Sequence, residues 1–193
     1  AVPPPPPPPP PARRGRPELI IVLGMPKCGT TSLHEAFRSA DFESVHWALD
    51  AGKNPSADKA LRTKGKDAST RLVSELVRRA YLEGQPPFCY LPPGVNAVAE
   101  MNGLFWDPGA GPGQVKAFFP QISCLDELVR HYPRAHFILN IRDPPAWVRS
   151  VSDHNDLRRR LQAADLPGLP PGVGDDDDEL IAWVEGHYRR VRE

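Results

Sequence analysis

The stretch IIVLGMPKCGTTSLHEAF, residues 20–37, decides the fold. It begins as a short apolar run typical of a buried strand, passes through a loop with two glycines, and ends in apolar residues at helical spacing. Gly24 and Gly29 lie five positions apart, the spacing of a loop that wraps phosphate with backbone N–H groups. The lysine that follows the second glycine in an NTPase loop is absent, because Thr30 stands there and Lys27 lies inside the loop.

Strand and helix patterns alternate along the chain. After a first strand in ELIIVL and a helix at 30–40, strands are predicted at 43–47, 95–100 and 135–141, and helices at 67–83, 122–132, 144–162 and from about Glu179. This order predicts an α/β fold of the three-layer P-loop type, with a mostly parallel central sheet flanked by helices. Ligands of such folds bind beyond the carboxyl ends of the strands, so segments 24–31 and 142–150 are the expected site.

The amino-acid composition limits which binding partners and which cellular compartment are expected for this chain. The chain has 193 residues with 24 Lys plus Arg and 24 Asp plus Glu, so no global charge indicates a nucleic-acid partner. Its three cysteines lack metal-ligand spacing, which favours free thiols in a reducing compartment. No apolar run approaches the roughly 18 residues of a membrane span. A cytoplasmic location is the default expectation, and the Golgi lumen is the alternative if an amino-terminal anchor has been lost.

Residues 1–17 form a separate segment of low complexity. Nine consecutive prolines at 3–11 precede ARRGRP, which predicts a polyproline II rod joined to a basic linker. We interpret this segment as a spacer, and the alternative is a ligand for a polyproline-binding partner such as a profilin-like or SH3-like domain. Residues 18–193 are expected to form one domain.

A second segment, NIRDPPAWVRSVSDH, adds to the anion-binding character of the loop. Arg142 follows a predicted strand, where its guanidinium can make a forked contact to phosphate. Ser150 lies eight residues on, where its hydroxyl can be a second donor. Taken alone, Arg142 with Asp143 is more typical of a structural ion pair, and the glycine loop of a simple strand-to-helix turn. Paired with the glycine loop, this segment becomes a more specific indication of a phosphate-binding site.

These residues resemble a known family. PKCGTT (26–31) resembles the PKSGTT loop of sulfotransferases that use 3′-phosphoadenosine 5′-phosphosulfate (PAPS). RDPPAWVRS (142–150) resembles the segment with which they hold the 3′-phosphate. A sulfotransferase-like branch found in bacteria and algae is the part of the family that this chain resembles most, in the segments SVHW, FILNIRDP, LPGLPPG and WVEGHY. The resemblance runs from about residue 19 to the carboxyl end.

The resemblance implies a role for each loop residue. The 5′-phosphate would be cradled by consecutive positions, namely Lys27, Cys28, Gly29, Thr30, Thr31 and Ser32. Lys27 would also contact the bridging oxygen of the breaking P–O–S link and neutralise charge on the leaving group. Cys28 replaces the usual Ser and offers its backbone N–H, since a thiol is a weak donor. A sulfuryl group carries less negative charge than a γ-phosphoryl, so we expect no metal.

The resemblance assigns the 3′-phosphate to Arg142 and Ser150. It also places a general base at the end of one of the strands after the loop helix, where Glu100 and His46 qualify. Glu100 is slightly favoured as the general base. For either residue the alternative is a purely structural role. The expected reaction is in-line sulfuryl transfer from PAPS to a hydroxyl or amine. The acceptor class stays open between carbohydrate, lipid and small molecule.

Two other functions stay open. One is a P-loop nucleotide-binding or kinase-like protein, which the missing GK[ST] and the Arg142–Ser150 pair disfavour. The other is a non-catalytic nucleotide-binding module with a partner-recruiting proline tail. Family members usually carry a further strand and a basic loop after the point where this chain stops. The carboxyl end is therefore expected to be incomplete, which leaves the activity of this chain open.

Overall fold

The computed structural model describes residues 19–49, 72–107, 109, 111 and 113–193. The strands are β1 (Ile20–Val22), β2 (Ser44–His46), β3 (Ala97–Glu100), β4 (Gly103–Trp106), β5 (Val115–Phe118) and β6 (His136–Ile138). The helices are α1 (Thr30–Ser39), α2 (Val73–Leu82), α3 (Pro120–Ser123), α4 (Leu125–His131), α5 (Pro144–Ser152), α6 (Leu157–Ala163) and α7 (Asp177–Arg192). The proline-rich segment at 1–17 and the beginning of the predicted helix at 67–83 lie outside the described residues.

The central sheet has the order β2-β3-β1-β6, and all of its neighbouring strands are parallel. This confirms the predicted α/β fold with a mostly parallel sheet flanked by helices. The strand β1 lies inside the sheet, and its residues Ile20, Ile21 and Val22 are all buried, as the unbroken apolar run requires. Because the strands are parallel, the segments that follow β1, β2, β3 and β6 meet at one edge of the sheet.

The register of β2 against β3 brings two predicted site residues side by side. Ser44 pairs with Ala97, and an irregularity between Val45 and His46 then places His46 opposite Glu100. A β-bulge of this kind changes the direction of the side chain that follows it. The two candidate bases therefore lie next to each other at the carboxyl edge of the sheet.

Two apolar cores hold the helices to the sheet. One includes Ile21 and Val98 of the strands with Val77 of α2 and Leu128 of α4. The other surrounds the fully buried Trp147 and joins α5, α6 and α7 to the loop after β1. The second core matters for the site, because it fixes three helices behind the glycine loop.

Local signals explain where the helices near the site begin. Asp143 accepts a hydrogen bond from the backbone N–H of Ala146 at 3.1 Å and so caps α5, whose first turn contains prolines. Asp143 is thus a helix cap. The helix α7 begins with a capping box between Asp176 and Glu179, two residues before the predicted start.

Three features of the fold differ from the sequence prediction. The predicted helix 122–132 is interrupted at Cys124, whose backbone leaves the helical region and separates α3 from α4. The predicted helix 144–162 is divided by a turn at 153–156, in which Asn155 has a φ of 49°. An antiparallel hairpin of β4 and β5 was not predicted, because its glycine- and proline-rich connection resembles an extended loop.

Candidate functional site

The loop between β1 and α1 has the backbone of an anion-binding loop. Lys27 has a φ of 71° and Gly29 a φ of 86°, so the chain turns twice through the left-handed region before the helix begins. Gly29 is the residue before the first turn of α1, and among the described residues no side chain caps that turn. The first N–H groups of a helix lack intrahelical acceptors, and the helix dipole favours negative charge there. The loop can therefore hold a phosphate.

The outer side of this loop is held by hydrogen bonds from distant parts of the chain. Five loop carbonyls accept side-chain N–H groups: Leu23 from His187 at 2.7 Å, Gly24 from Gln121 at 3.4 Å, Pro26 from Trp147 at 2.8 Å, Lys27 from Arg142 at 3.1 Å, and Cys28 from Asn140 at 2.8 Å. These contacts fix the peptide planes before any ligand arrives. Such preorganisation lowers the entropic cost of binding a ligand.

The first glycine of the loop is required by a close approach. A Cβ atom on Gly24 would lie 1.9 Å from the Asn140 side chain and 2.5 Å from the Asn140 carbonyl oxygen. The segment that follows β6 thus packs directly on the loop that follows β1. Any larger residue at position 24 would separate the two segments that carry the predicted phosphate contacts.

Lys27 is held at both its backbone and its side chain. A positive φ is uncommon for a residue with a Cβ atom, and such positions concentrate at functional sites. Its carbonyl accepts the hydrogen bond from Arg142, and its Nζ lies 3.1 Å from Nδ1 of His154. The loop lysine is therefore placed by contacts from the segments after β6 and after α5.

Arg142 links the two predicted phosphate-binding segments. One of its guanidinium nitrogens donates to the carbonyl of Lys27, and the exposed side chain keeps further N–H groups for a ligand. It lines an open cleft together with Tyr188, Arg189 and Arg192 of α7. Three arginines therefore lie in this cleft, together with the carboxylates of Asp143, Glu185 and Glu193.

Ser150 occupies the position that its spacing predicts, on α5 and two turns from the start of that helix, where it is half-buried. Within the described part of the chain, no hydrogen bond joins its hydroxyl to the glycine loop. Ser32 lies on the first turn of α1 and is exposed. Both hydroxyls are thus available to a ligand.

Cys28 supports the loop from within. Its backbone N–H donates to the carbonyl of Met25 at 3.2 Å, and its Sγ lies 3.3 Å from the hydroxyl of Tyr188. Burial raises the pKa of the Cys28 thiol, so the thiol stays protonated at neutral pH. The N–H that was expected to face the ligand is already engaged, and Cys28 acts here as part of the loop's own framework.

His46 and Glu100 form one hydrogen-bonded group with the glycine loop. Nε2 of His46 lies 2.9 Å from Oε2 of Glu100, 3.2 Å from the Thr30 hydroxyl and 3.4 Å from the Thr31 hydroxyl. The Thr30 hydroxyl donates to the same carboxylate oxygen. Thr30 is buried, and its hydroxyl is hydrogen-bonded to the Glu100 carboxylate. Its backbone N–H belongs to the first turn of α1.

The environment keeps this carboxylate ionised. Burial alone would raise the pKa of Glu100, but the hydrogen bond and charge of His46, with hydrogen bonds from Thr30 and Asn102, outweigh it and lower the pKa below its usual range. An ionised carboxylate in contact with an imidazole is an arrangement that can accept a proton. It lies at the carboxyl edge of the sheet, next to the phosphate loop.

A family model described as a sulfotransferase domain matches residues 19–164. The chain belongs to the sulfotransferase family. A search of curated proteins gave no significant match. The matched region contains the glycine loop, the His46–Glu100 pair and the Arg142 segment of the sulfotransferase domain.

The helix α7 lies beyond the matched region and still supports the sulfotransferase site. His187 donates to the carbonyl of Leu23, and burial lowers the pKa of His187, which keeps the imidazole neutral. The hydroxyl of Tyr188 accepts the backbone N–H of Arg142 at 3.3 Å. Two consecutive residues of α7 thus contact both of the predicted phosphate-binding segments.

Sequence reasoning missed these supporting residues. The sequence alone assigns no role to His154, His187 or Tyr188. A usable signal was present in α7, where the buried residues follow helical spacing: Leu180, Trp183, Val184, His187 and Tyr188. Polar groups within an otherwise apolar stripe need buried partners, which indicates a structural or functional contact.

Two further observations concern the described residues of the sulfotransferase domain. Among them, no group of three or more His, Cys, Asp or Glu side chains is placed to hold a metal ion. None of their helices is both long and apolar enough to cross a bilayer.

Proposed function

We propose that this sulfotransferase domain uses PAPS as its sulfuryl donor and transfers the sulfuryl group to a hydroxyl or amine acceptor. The observation that carries the proposal is the direct contact between the two phosphate-binding segments, in which Arg142 donates to the carbonyl of Lys27. A nucleotide with a 5′-phosphate and a separate 3′-phosphate matches two adjoining segments that each carry a cationic side chain, Lys27 in one and Arg142 in the other. A nucleoside triphosphate carries its phosphates in one chain and requires no second site.

The residues have separate roles in this proposal. The N–H groups of Gly29, Thr30 and Thr31 at the start of α1 hold the 5′-phosphate, and Lys27 neutralises charge on the leaving group. Arg142 and the hydroxyl of Ser150 hold the 3′-phosphate. The donor supplies an activated sulfuryl group, and the protein's part is to position it and stabilise developing charge.

We assign the acid–base step to His46 and Glu100 as a unit. Each was a separate candidate, and their contact at 2.9 Å means that a proton added to either is shared by the pair. The pair takes the proton of the acceptor hydroxyl or amine as the sulfuryl group is transferred. Thr30 donates to Glu100, so the pair is held at a fixed distance from the phosphate loop.

A Mg²⁺–ATP enzyme is the main alternative, and the residue at position 30 disfavours it. In a Walker loop the residue directly after the second glycine is the lysine that reaches the β- and γ-phosphates, and Thr30 stands at that position in this chain. Here the Thr30 hydroxyl is buried and donates to Glu100. A non-catalytic module is the other alternative, and the hydrogen-bonded His46–Glu100 pair argues against it, since a binding module needs no proton acceptor at the phosphate loop.

Calorimetric titration with 3′-phosphoadenosine 5′-phosphate and, separately, with ATP–Mg²⁺ tests the proposal. We expect the bisphosphate to bind and Lys27→Ala to weaken it by roughly tenfold to a hundredfold, the effect of one lost charged hydrogen bond. Arg130→Ala is a control for the loss of a cationic side chain, because Arg130 is exposed on α4, outside the two predicted phosphate-binding segments. Preference for ATP–Mg²⁺, or no effect of Lys27→Ala, would refute the proposed donor.

A further inference from the structure

We infer that His154 is a positioning residue for the sulfuryl-transfer reaction, because it holds the ammonium of Lys27 over the donor site. This inference rests on the proposed function. Nδ1 of His154 lies 3.1 Å from Nζ of Lys27, although the two residues are 127 positions apart in the chain. The contact joins the only lysine of the glycine loop to the turn between α5 and α6.

The chemistry of the two groups fixes the direction of this hydrogen bond. A lysine ammonium has three N–H donors and no acceptor, so Nδ1 of His154 accepts. The imidazole that accepts at Nδ1 is the neutral form with its proton on Nε2. Two N–H groups of the Lys27 ammonium are left for the oxygens of the donor.

His154 is itself firmly placed. Its backbone N–H donates to the carbonyl of Val151 at 3.3 Å, and its carbonyl accepts the N–H of Leu157 at 3.0 Å. Both bonds tie the residue to the ends of the helices on either side of the turn. The backbone that carries the acceptor atom, Nδ1 of His154, is therefore fixed by hydrogen bonds on both sides of the residue.

The turn is also anchored to the β4–β5 hairpin. Asp156 accepts a hydrogen bond from the indole N–H of Trp106 and forms an ion pair with Arg160 at 2.9 Å. The guanidinium of Arg160 donates to the carbonyl of Leu104. The position of His154, and with it that of the Lys27 ammonium, is set by a strand pair as well as by two helices.

A fixed hydrogen-bond acceptor such as Nδ1 of His154 reduces the entropic cost of ordering the Lys27 side chain. This side chain has four rotatable bonds, and ordering a lysine side chain costs rotamer entropy. A fixed acceptor at the end of the side chain offsets that cost before the donor binds. Removing the acceptor transfers the cost to the binding step, so the donor product should bind more weakly.

A double-mutant cycle with Lys27 tests the inference. Binding of 3′-phosphoadenosine 5′-phosphate is measured by calorimetry for the wild type, His154→Ala, Lys27→Ala and the double variant. We expect His154→Ala to weaken binding by about tenfold in the wild type and to have no effect in the Lys27→Ala background. His131→Ala, which removes a histidine of α4, should leave the affinity unchanged.

A conservative variant separates positioning from folding. The Oδ1 of an asparagine occupies nearly the place of the imidazole Nδ1, so His154→Asn should bind the bisphosphate within about threefold of the wild type. Binding as weak as that of His154→Ala would overturn the inference. So would an equal loss in the Lys27→Ala background, or tighter binding by His154→Ala, which would mean that His154 withdraws Lys27 from the donor site. A wild type that binds no bisphosphate would instead refute the proposed function, and this inference with it.

Discussion

Protonation of His34 should destabilise the domain between neutral and mildly acidic pH. His34 lies on α1 and is only 7% exposed, with Nδ1 2.8 Å from the hydroxyl of Ser44. Its Nε2 is buried with no hydrogen-bond partner among the described residues. A second proton would therefore create a buried N–H without an acceptor, which is costly.

The size of the effect follows from the pKa. Burial, with the neighbouring charges of His46 and Arg38, lowers the pKa of His34 from 6.5 to about 4. Between these two values the unfolded chain binds a proton that the folded chain does not, so stability falls as the pH falls. Taking the pH from 7 to 5 should cost about 2 kcal/mol of unfolding free energy through this one residue.

Urea denaturation at pH 7 and pH 5 measures this contribution when the wild type is compared with His34→Asn. Asparagine can keep the hydrogen bond to Ser44 through its amide but has no titrating group. The remaining titrating groups are common to both proteins, so the wild type should lose about 2 kcal/mol more than the variant. An equal loss in both proteins would refute the account of His34 as a buried neutral imidazole.

Three further predictions concern the support of the site. Trp147→Phe removes the indole bond to the loop and should weaken binding of 3′-phosphoadenosine 5′-phosphate about tenfold, measured by calorimetry. The control is Trp183→Phe, which also loses an indole–carbonyl hydrogen bond but should leave the binding affinity unchanged. Equal losses of affinity in the two variants would contradict the proposed support of the loop by Trp147. Tyr188→Phe should weaken the same binding several-fold, and an unchanged affinity would count against a role for α7. For PAPS hydrolysis, His46→Ala, Glu100→Ala and the double variant should lower the rate by similar factors, because the pair acts as one unit; additive losses would show two independent roles.

The fold was largely predictable because its signals are local. A buried parallel strand needs an unbroken apolar run, and the alternation of strands with helices then leaves few topologies. The hairpin of β4 and β5 could not be predicted, because its strands are short and its glycine-rich connection has no hairpin dipeptide. The division of helix 144–162 depends on the packing of α6, which no local pattern reveals.

The candidate site was predictable only in part, for a related reason. Lys27, Gly29 and Arg142 stand in short motifs whose spacing reflects the chemistry. The partnership of His46 with Glu100 depends on a bulge in the register of β2 against β3, so the sequence could suggest each residue but not their contact. The groups behind the loop are separated from it by more than a hundred residues, and tertiary packing alone brings them there.

The relative affinity for 3′-phosphoadenosine 5′-phosphate and adenosine 5′-monophosphate tests the two-part phosphate site most directly. The two ligands differ only by the 3′-phosphate, which the account assigns to Arg142 and Ser150. We predict that calorimetry will show the bisphosphate binding at least about tenfold more tightly, and that Arg142→Ala will remove most of this difference. Equal affinities for the two nucleotides in the wild-type protein would contradict the account.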